Sequence, residues 1–352
     1  MKLIKALAHL KKRLGKVSLK ILKDFLLTLF NLKGVMPMQN KLLCFITILW
    51  FSGCAIDKPI ENIVSFQSVP TIISPLTHTG CAAYQVPVNQ AIEGRDLDKL
   101  DNLLATLNKQ SDCPSSYLDS VKRSMAHIAA ALAGRSMAQA QLTEAEAWLK
   151  RAPTTVWSTQ VVRGDIAAYH KQWPNAAHYF NQAIDLINDN QKMPAEPAPD
   201  KIEQVFQSAL DAQLLAGEIV GPIRHRTRPK IRSIGVDDGY PMPVQFDFGG
   251  SKMSPKGKKS SQKLANYLKK QGATDIKLIG HTDTKGSHRV NDRISKQRSL
   301  AVKSYLRKLG VRVSIKTDGR GKREPLPSPR WKNLTQTEID QRNRRVEFRI
   351  NN

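Results

Sequence analysis

Between residues 244 and 350 apolar residues recur at every second position in four separate runs. Val244, Phe246 and Phe248 share one face of "VQFDF", and Ile276 and Leu278 share one face of "DIKLIG". Val311, Val313 and Ile315 do so in "VRVSIK", as do Val346, Phe348 and Ile350 in "RVEFRI". Successive side chains leave a strand on opposite faces, so a period of two marks a half-buried strand. Between the first two runs Leu264, Tyr267 and Leu268 form a helical stripe. Between the second and third, Ile294, Ala301, Tyr305 and Leu309 form another, ending at Gly310, where a glycine just past a helix belongs. The predicted order is β-α-β-α-β-(short helix)-β, an α+β domain whose sheet carries its helices on one face.

Upstream, residues 84–220 read as helical. "DLDKLDNLLATLNKQ" places Leu97, Leu100, Leu103, Leu104 and Leu107 along one helix face. "GDIAAYHKQWPNAAHYFNQAIDL" sets Gly164, Ala176, Phe180 and Ala183 at the spacing of a tetratricopeptide unit. Ala145, Leu149 and Ala152 sit 31 residues ahead of the last three. The region therefore resembles one good and one degenerate tetratricopeptide repeat, with a plain helical bundle as the alternative. A repeat array would present a concave surface to a protein partner. Three prolines in "QKMPAEPAPD" break it, and "KIEQVFQSALDAQLLAGEIV" reads as one more helix.

At the other end, "MQNKLLCFITILWFSGCA" has a charged start at Met38, a short apolar core and small residues before Cys54, the layout of a secretory signal. Its apolar core is too short to span a bilayer. Ser52-Gly53-Cys54 resembles the lipobox of bacterial lipoproteins, which implies cleavage before Cys54 and acylation of its sulfur. An ordinary signal peptide is the alternative. Ala55 does not resemble the inner-membrane retention signal, so the expected location is the periplasmic face of the outer membrane. The partition is then residues 1–37, read from a misassigned upstream start, with a basic amphipathic membrane-surface helix as the alternative; 38–53, signal peptide; 54–83, lipidated cysteine and tether; 84–220, helical region; 221–243, basic Pro-rich linker; and 244–352, the α+β domain. Cys81 and Cys113 remain in the mature chain, as a disulfide candidate in an oxidising compartment or as two buried thiols.

Candidate chemistry gathers after the second predicted strand, in "IGHTDTKGSHRVND". Asp283 lies in the loop and Arg298 two turns into the next helix. A carboxylate and a guanidinium on one pocket suit a zwitterion, the first taking an ammonium and the second a carboxylate in bidentate fashion. His281 has no second ligand in view, so no metal is expected, and no cofactor is called for.

The ordered residues Gly280-His281-Thr282-Asp283, Gly286, Asn291, Ser295, Arg298, Gly319 and Asn343-Arg344-Arg345-Val346 resemble the OmpA-like peptidoglycan-binding domain, shared with the peptidoglycan-associated lipoprotein and flagellar motor proteins. The resemblance covers nearly a third of the chain. It implies that Asp283 grips the ammonium of diaminopimelate in the wall's stem peptide and Arg298 its carboxylate. Thr282, Asn291, Asn343 and Arg344 are the implied supporting residues. Val290 stands where the family has an aromatic, Ser299 where it has a small alanine, and Lys285 adds a cation beside Asp283.

A formal charge of +25 favours anionic partners. The secretion signal and the lack of a reader motif speak against nucleic acid, and no nucleophile–base pair, zincin helix or phosphate loop suggests an enzyme. The leading expectation is an outer-membrane lipoprotein that binds peptidoglycan non-covalently, anchored by lipid on Cys54, with its helical repeats docking an envelope protein. The second expectation is a structural part of a larger envelope machine, such as a flagellar motor or secretion assembly.

Overall fold

Apolar stripes at helical spacing fill the first described half of the chain, and helix follows helix there. The computed structural model describes residues 80–189, 197–223, 240–247 and 249–350. Cys54, the signal stretch, residues 1–37, nearly all of the tether and residues 224–239 of the 221–243 linker lie outside them, as does Phe248. A short 3₁₀ turn leads into α1 (Gln85–Glu93), α2 (Leu97–Leu107), α3 (Ser115–Ala138), α4 (Leu142–Lys150), α5 (Trp157–Tyr169), α6 (Trp173–Ile187) and α7 (Pro199–Ala216). At the start of α2 the Asp96 side chain accepts a hydrogen bond from the Lys99 amide, satisfying one of the orphan donors of a helix N-terminus. Leu97, Leu100 and Leu107 are buried with Val88, Val121 and Met125. Cys81 and Cys113 are disulfide-bonded beneath this layer, with 5.3 Å between their Cα atoms.

Helices α5 and α6 approach closely because Gly164 has no side chain. A Cβ there would stand 2.7 Å from the Phe180 ring. Phe180 is fully buried between Ala176 and Ala183 on its own helix and the small face of α5.

The C-terminal part runs β1 (Tyr240–Met242), α8 (Pro255–Gln271), β2 (Asp275–His281), α9 (His288–Lys308), β3 (Ser314–Gly321), α10 (Gln336–Asn343) and β4 (Val346–Ile350). The sheet order is β1-β4-β2-β3. Strands β2 and β3 are parallel and the other two pairings antiparallel, so the sheet is mixed. Leu264, Ala265 and Leu268 of α8 and Val302 and Leu306 of α9 bury against Ile276, Leu278, Val346 and Phe348. This is the apolar face predicted by the period-two runs, covered by helices.

Two predicted strands are displaced. The first run does not form β1, because Pro243 has no N–H to donate and the Val244 amide turns back to the Met242 carbonyl at 2.9 Å. Val244 stays buried in the core, while Phe246 forms only an isolated bridge with Met253. The strand that does form contains Pro241, which is tolerated because β1 is an edge. The third strand begins at Ser314 rather than Val311. Gly310 takes φ +77° and the Val311 amide bonds back to Leu306, so Val311 still belongs to the end of α9.

The helical and α+β parts belong to one compact unit, residues 58–352. The tail of α7 sends Ile219 and Ile223 into the core of the sheet. In return, the segment between β3 and β4 lies on the helices. Trp331 is 7% exposed, with its rings 5.3 Å from Trp173 and 6.0 Å from Phe180. Arg330 meets Asp165 at 2.5 Å, Arg342 meets Asp211 at 2.5 Å, and Lys171 meets Glu338 at 2.8 Å. Nothing local in the sequence signals this interlock, and residues 221–243 read there as a linker between separate parts. Among the described residues no helix is long and apolar enough to cross a membrane.

Candidate functional site

The site loop, residues 282–287, leaves β2 and enters α9. Its floor depends on glycine: a Cβ on Gly280 would lie 2.1 Å from the Ser295 carbonyl, so only glycine lets α9 settle on the end of β2. Backbone hydrogen bonds fix the loop's start. The His281 amide donates to Arg345 O and the Thr282 amide to Gly321 O, both at 2.9 Å. Ser287 caps α9 by accepting from the Val290 amide. Asn291, 4% exposed, reaches back to donate to the Lys285 carbonyl at 2.7 Å. Thr282 donates to the Asp283 carbonyl at 3.0 Å. Asn343 accepts from the Leu326 amide at 2.8 Å and donates to the Ile339 carbonyl, fixing the chain that leads to Arg344.

Asp283 sits among donors. Its Oδ1 accepts from the Lys285 amide at 3.1 Å, and its Oδ2 pairs with Arg344 Nη1 at 2.8 Å. The Arg344 side chain is 35% exposed. Lys285, the extra cation beside the motif, pairs its ammonium with buried Asp340 at 2.8 Å, while its amide bonds Asp283 and its charge still acts on that carboxylate.

Arg298 is the most unusual charge in the region. It is 5% exposed, with its guanidinium 5.1 Å from the centre of the Phe246 ring and its Nε donating to the Gly250 carbonyl at 3.1 Å. Among the described residues no carboxylate lies within ion-pairing distance of it. Burial, and after it the Arg344 charge, push its pKa down to about 10, with Asp283 pulling the other way. Asp283, Arg298 and Arg344 thus share one electrostatic neighbourhood, with Asp340 and Lys285 acting on Arg344 from the side. An incoming carboxylate would relieve the repulsion between the two guanidiniums and pair Arg298. The sequence reading names Arg298 but not its platform. Phe246 reads there as a strand residue, and nothing local signals the Gly250 carbonyl.

His281 is fully buried, with Nε2 3.4 Å from Glu347 Oε1. Arg345 completes a buried row, its Nη2 2.5 Å from the same oxygen. Among the described residues no three His, Cys, Asp or Glu side chains are grouped to hold a metal ion. Burial alone would raise the Glu347 pKa, but His281 and Arg345 hold it down to about 2. A carboxyl depressed in the folded state contributes stability above its unfolded pKa and loses that contribution as pH falls toward the folded value. The Glu347 contribution, about 3 kcal/mol from a depression of this size, is therefore expected in full above about pH 5 and to vanish near pH 2. Urea titrations at the two pH values check this, and Glu347→Gln should flatten that part of the profile.

The surface around the site is strongly basic. Residues 240–350 hold 27 Lys and Arg against 9 Asp and Glu, a formal +18 and most of the chain's excess.

Residues 245–334 match the model of the OmpA family, and the C-terminal domain is OmpA-like. The chain is 34% identical over 135 residues to the "Probable lipoprotein YiaD" of Escherichia coli (strain K12), covering 36% of this chain and 59% of that protein. It is 35% identical over 106 residues to "Outer membrane protein A" of Bordetella avium, covering 30% of this chain and 52% of that protein. It thus spans between half and three-fifths of these curated relatives. Among solved structures, the peptidoglycan-associated lipoprotein from Burkholderia pseudomallei is 27% identical over 30% of this chain and 86% of that one, with a TM-score of 0.26.

Proposed function

We propose that this OmpA-like domain binds peptidoglycan non-covalently and that the chain is an outer-membrane lipoprotein tying membrane to wall. Asp283 receives the ammonium of diaminopimelate and Arg298 its carboxylate, with Thr282, Asn291, Asn343 and Arg344 shaping the pocket. The observation that carries this reading is the buried Arg298, with no carboxylate within ion-pairing distance among the described residues, beside an Asp283 whose ion-pair contact is the half-exposed Arg344. A buried cation without a counter-charge is costly, and a ligand carboxylate supplies that charge. The ligand's ammonium shares or takes the Arg344 position on Asp283.

The family match over residues 245–334 supports the wall-binding role, and the similarity to a protein described as a probable lipoprotein supports lipid on Cys54. The +18 of the domain suits a carboxylate-rich mesh. The close Gly164–Phe180 packing supports the tetratricopeptide-like reading of the helical region.

The test is retention on sacculi of the diaminopimelate type. Asp283→Ala and Arg298→Ala are each expected to lower the bound fraction at least tenfold. Retention of both variants at the level of the unmodified chain would overturn the reading.

A second reading, a component of a larger envelope assembly, is favoured by a groove of about 480 Å³ along α4, α5 and α6. Lys150, Arg163 and His170 line it with Tyr179 and a single acid, Glu146. Trp331 covers the other face of α5 and α6, which leaves this groove for an envelope protein. Co-purification of a defined partner, lost on Arg163→Glu, would support it.

A further inference from the structure

We propose that Asp211 of the helical region is a positioning residue for the wall site, acting through α10 on Arg344; the inference rests on the function proposed above. Helix α10 stands between two surfaces. On one side three consecutive residues at its end are tied down. Gln341 Nε2 donates to the Leu215 carbonyl of α7 at 2.6 Å. Arg342, 3% exposed, places Nε at 3.0 Å and Nη2 at 2.5 Å from Asp211 Oδ1 and donates Nη1 to the Pro327 carbonyl. Asn343 accepts from the Leu326 amide. The next residue, Arg344, points the other way and meets Asp283 at 2.8 Å.

The start of the same helix is held by Lys171–Glu338, and Lys285 from the site loop reaches its buried Asp340. Helix α10 is therefore a strut, held by the helical bundle at its start and its end and presenting Asp340 and the following Arg344 to the wall pocket. Its directional element is the Asp211–Arg342 pair. Two charge-assisted bonds converge on Asp211 Oδ1 and a third goes to the Pro327 carbonyl, so the guanidinium is held in orientation as well as distance, and a binding side chain must be held within about half an ångström to work. Arg344 is long and half-exposed, so its own contacts leave it loose. The backbone from which it springs is what Asp211 fixes. The helical region is thereby part of the wall site without touching the ligand.

The test uses the full-length chain in detergent and a soluble disaccharide–stem peptide carrying diaminopimelate, with the dissociation constant read by calorimetry. Asp211→Asn keeps the shape and removes the charge, and is expected to weaken binding about fivefold. Arg344→Ala is expected to weaken it about tenfold, and the double variant no further, because both act through one side chain. A merely structural role for Asp211 would give an additive double variant. Additivity, or unchanged binding by Asp211→Asn, overturns the proposal.

Asp283→Ala runs alongside. If it too leaves binding unchanged, the wall reading itself has failed. If it abolishes binding while Asp211→Asn does not weaken it, only the strut has failed. Should Asp211→Asn not fold, the apolar pair Asp211→Leu with Arg342→Met retains packing and carries the same expectation.

Discussion

Trp331→Ala is expected to lower folding stability by about 3–5 kcal/mol, the range for deleting a large buried aromatic. Trp331 fills the space between Trp173 and Phe180, while its chain neighbour Arg330 pairs with Asp165 and donates to the Ser208 hydroxyl of α7. Removing the indole opens a cavity in the core of the helical region from the side of the α+β domain. The loss should therefore appear in both parts at once. Denaturant unfolding followed by far-ultraviolet circular dichroism is expected to keep a single transition in the variant, shifted to lower denaturant. A variant as stable as its parent would show that the interlock contributes nothing.

Reduction of the Cys81–Cys113 bond is expected to cost about 3–4 kcal/mol, the loop-closure entropy for its separation of 32 residues. The bond ties the residues before α1 to the turn before α3, so the effect should concentrate on the first two helices. Hydrogen exchange is the suitable measurement. Amides of α1 and α2 should exchange faster on reduction or in Cys81→Ser, while those of β2 and β4 should not change. Uniform acceleration across the chain would contradict a local role.

Features that depend on a few neighbouring residues were legible in the sequence. Strands β2 and β4 follow from Ile276, Leu278, Val346 and Phe348 alternating along the chain, and the end of α9 follows from Gly310. The motif loop is of this kind too, since Asp283, Asn291 and Arg298 follow one another along one short stretch of chain. The start of the sheet was not, because a single Pro243 overrides the alternation of Val244 and Phe246, and the result depends on which strand ends as the edge. Partners brought together over long separations were invisible. Phe246 beneath Arg298, Asp340 drawing Lys285 from the motif, and Asp211 waiting for Arg342 have no local signal. The nearest clue was Trp331, a large aromatic in the Pro-rich run "PLPSPRWKN" that no helical or strand period explains.

The borders of the sheet set how copies of this chain can meet. Strand β1 offers three residues, one of them Pro241, and the turn at Pro243 closes it. At the opposite border β3 carries Lys316 and Arg320 and ends in Gly321 at a positive φ. Prolines and cations at sheet borders discourage a neighbouring chain from adding its own backbone. Crowding that brings these domains side by side should therefore leave them as separate particles. Any ordered contact between them has to be made by side chains, and mutual positive charge sets the distance at which it can begin.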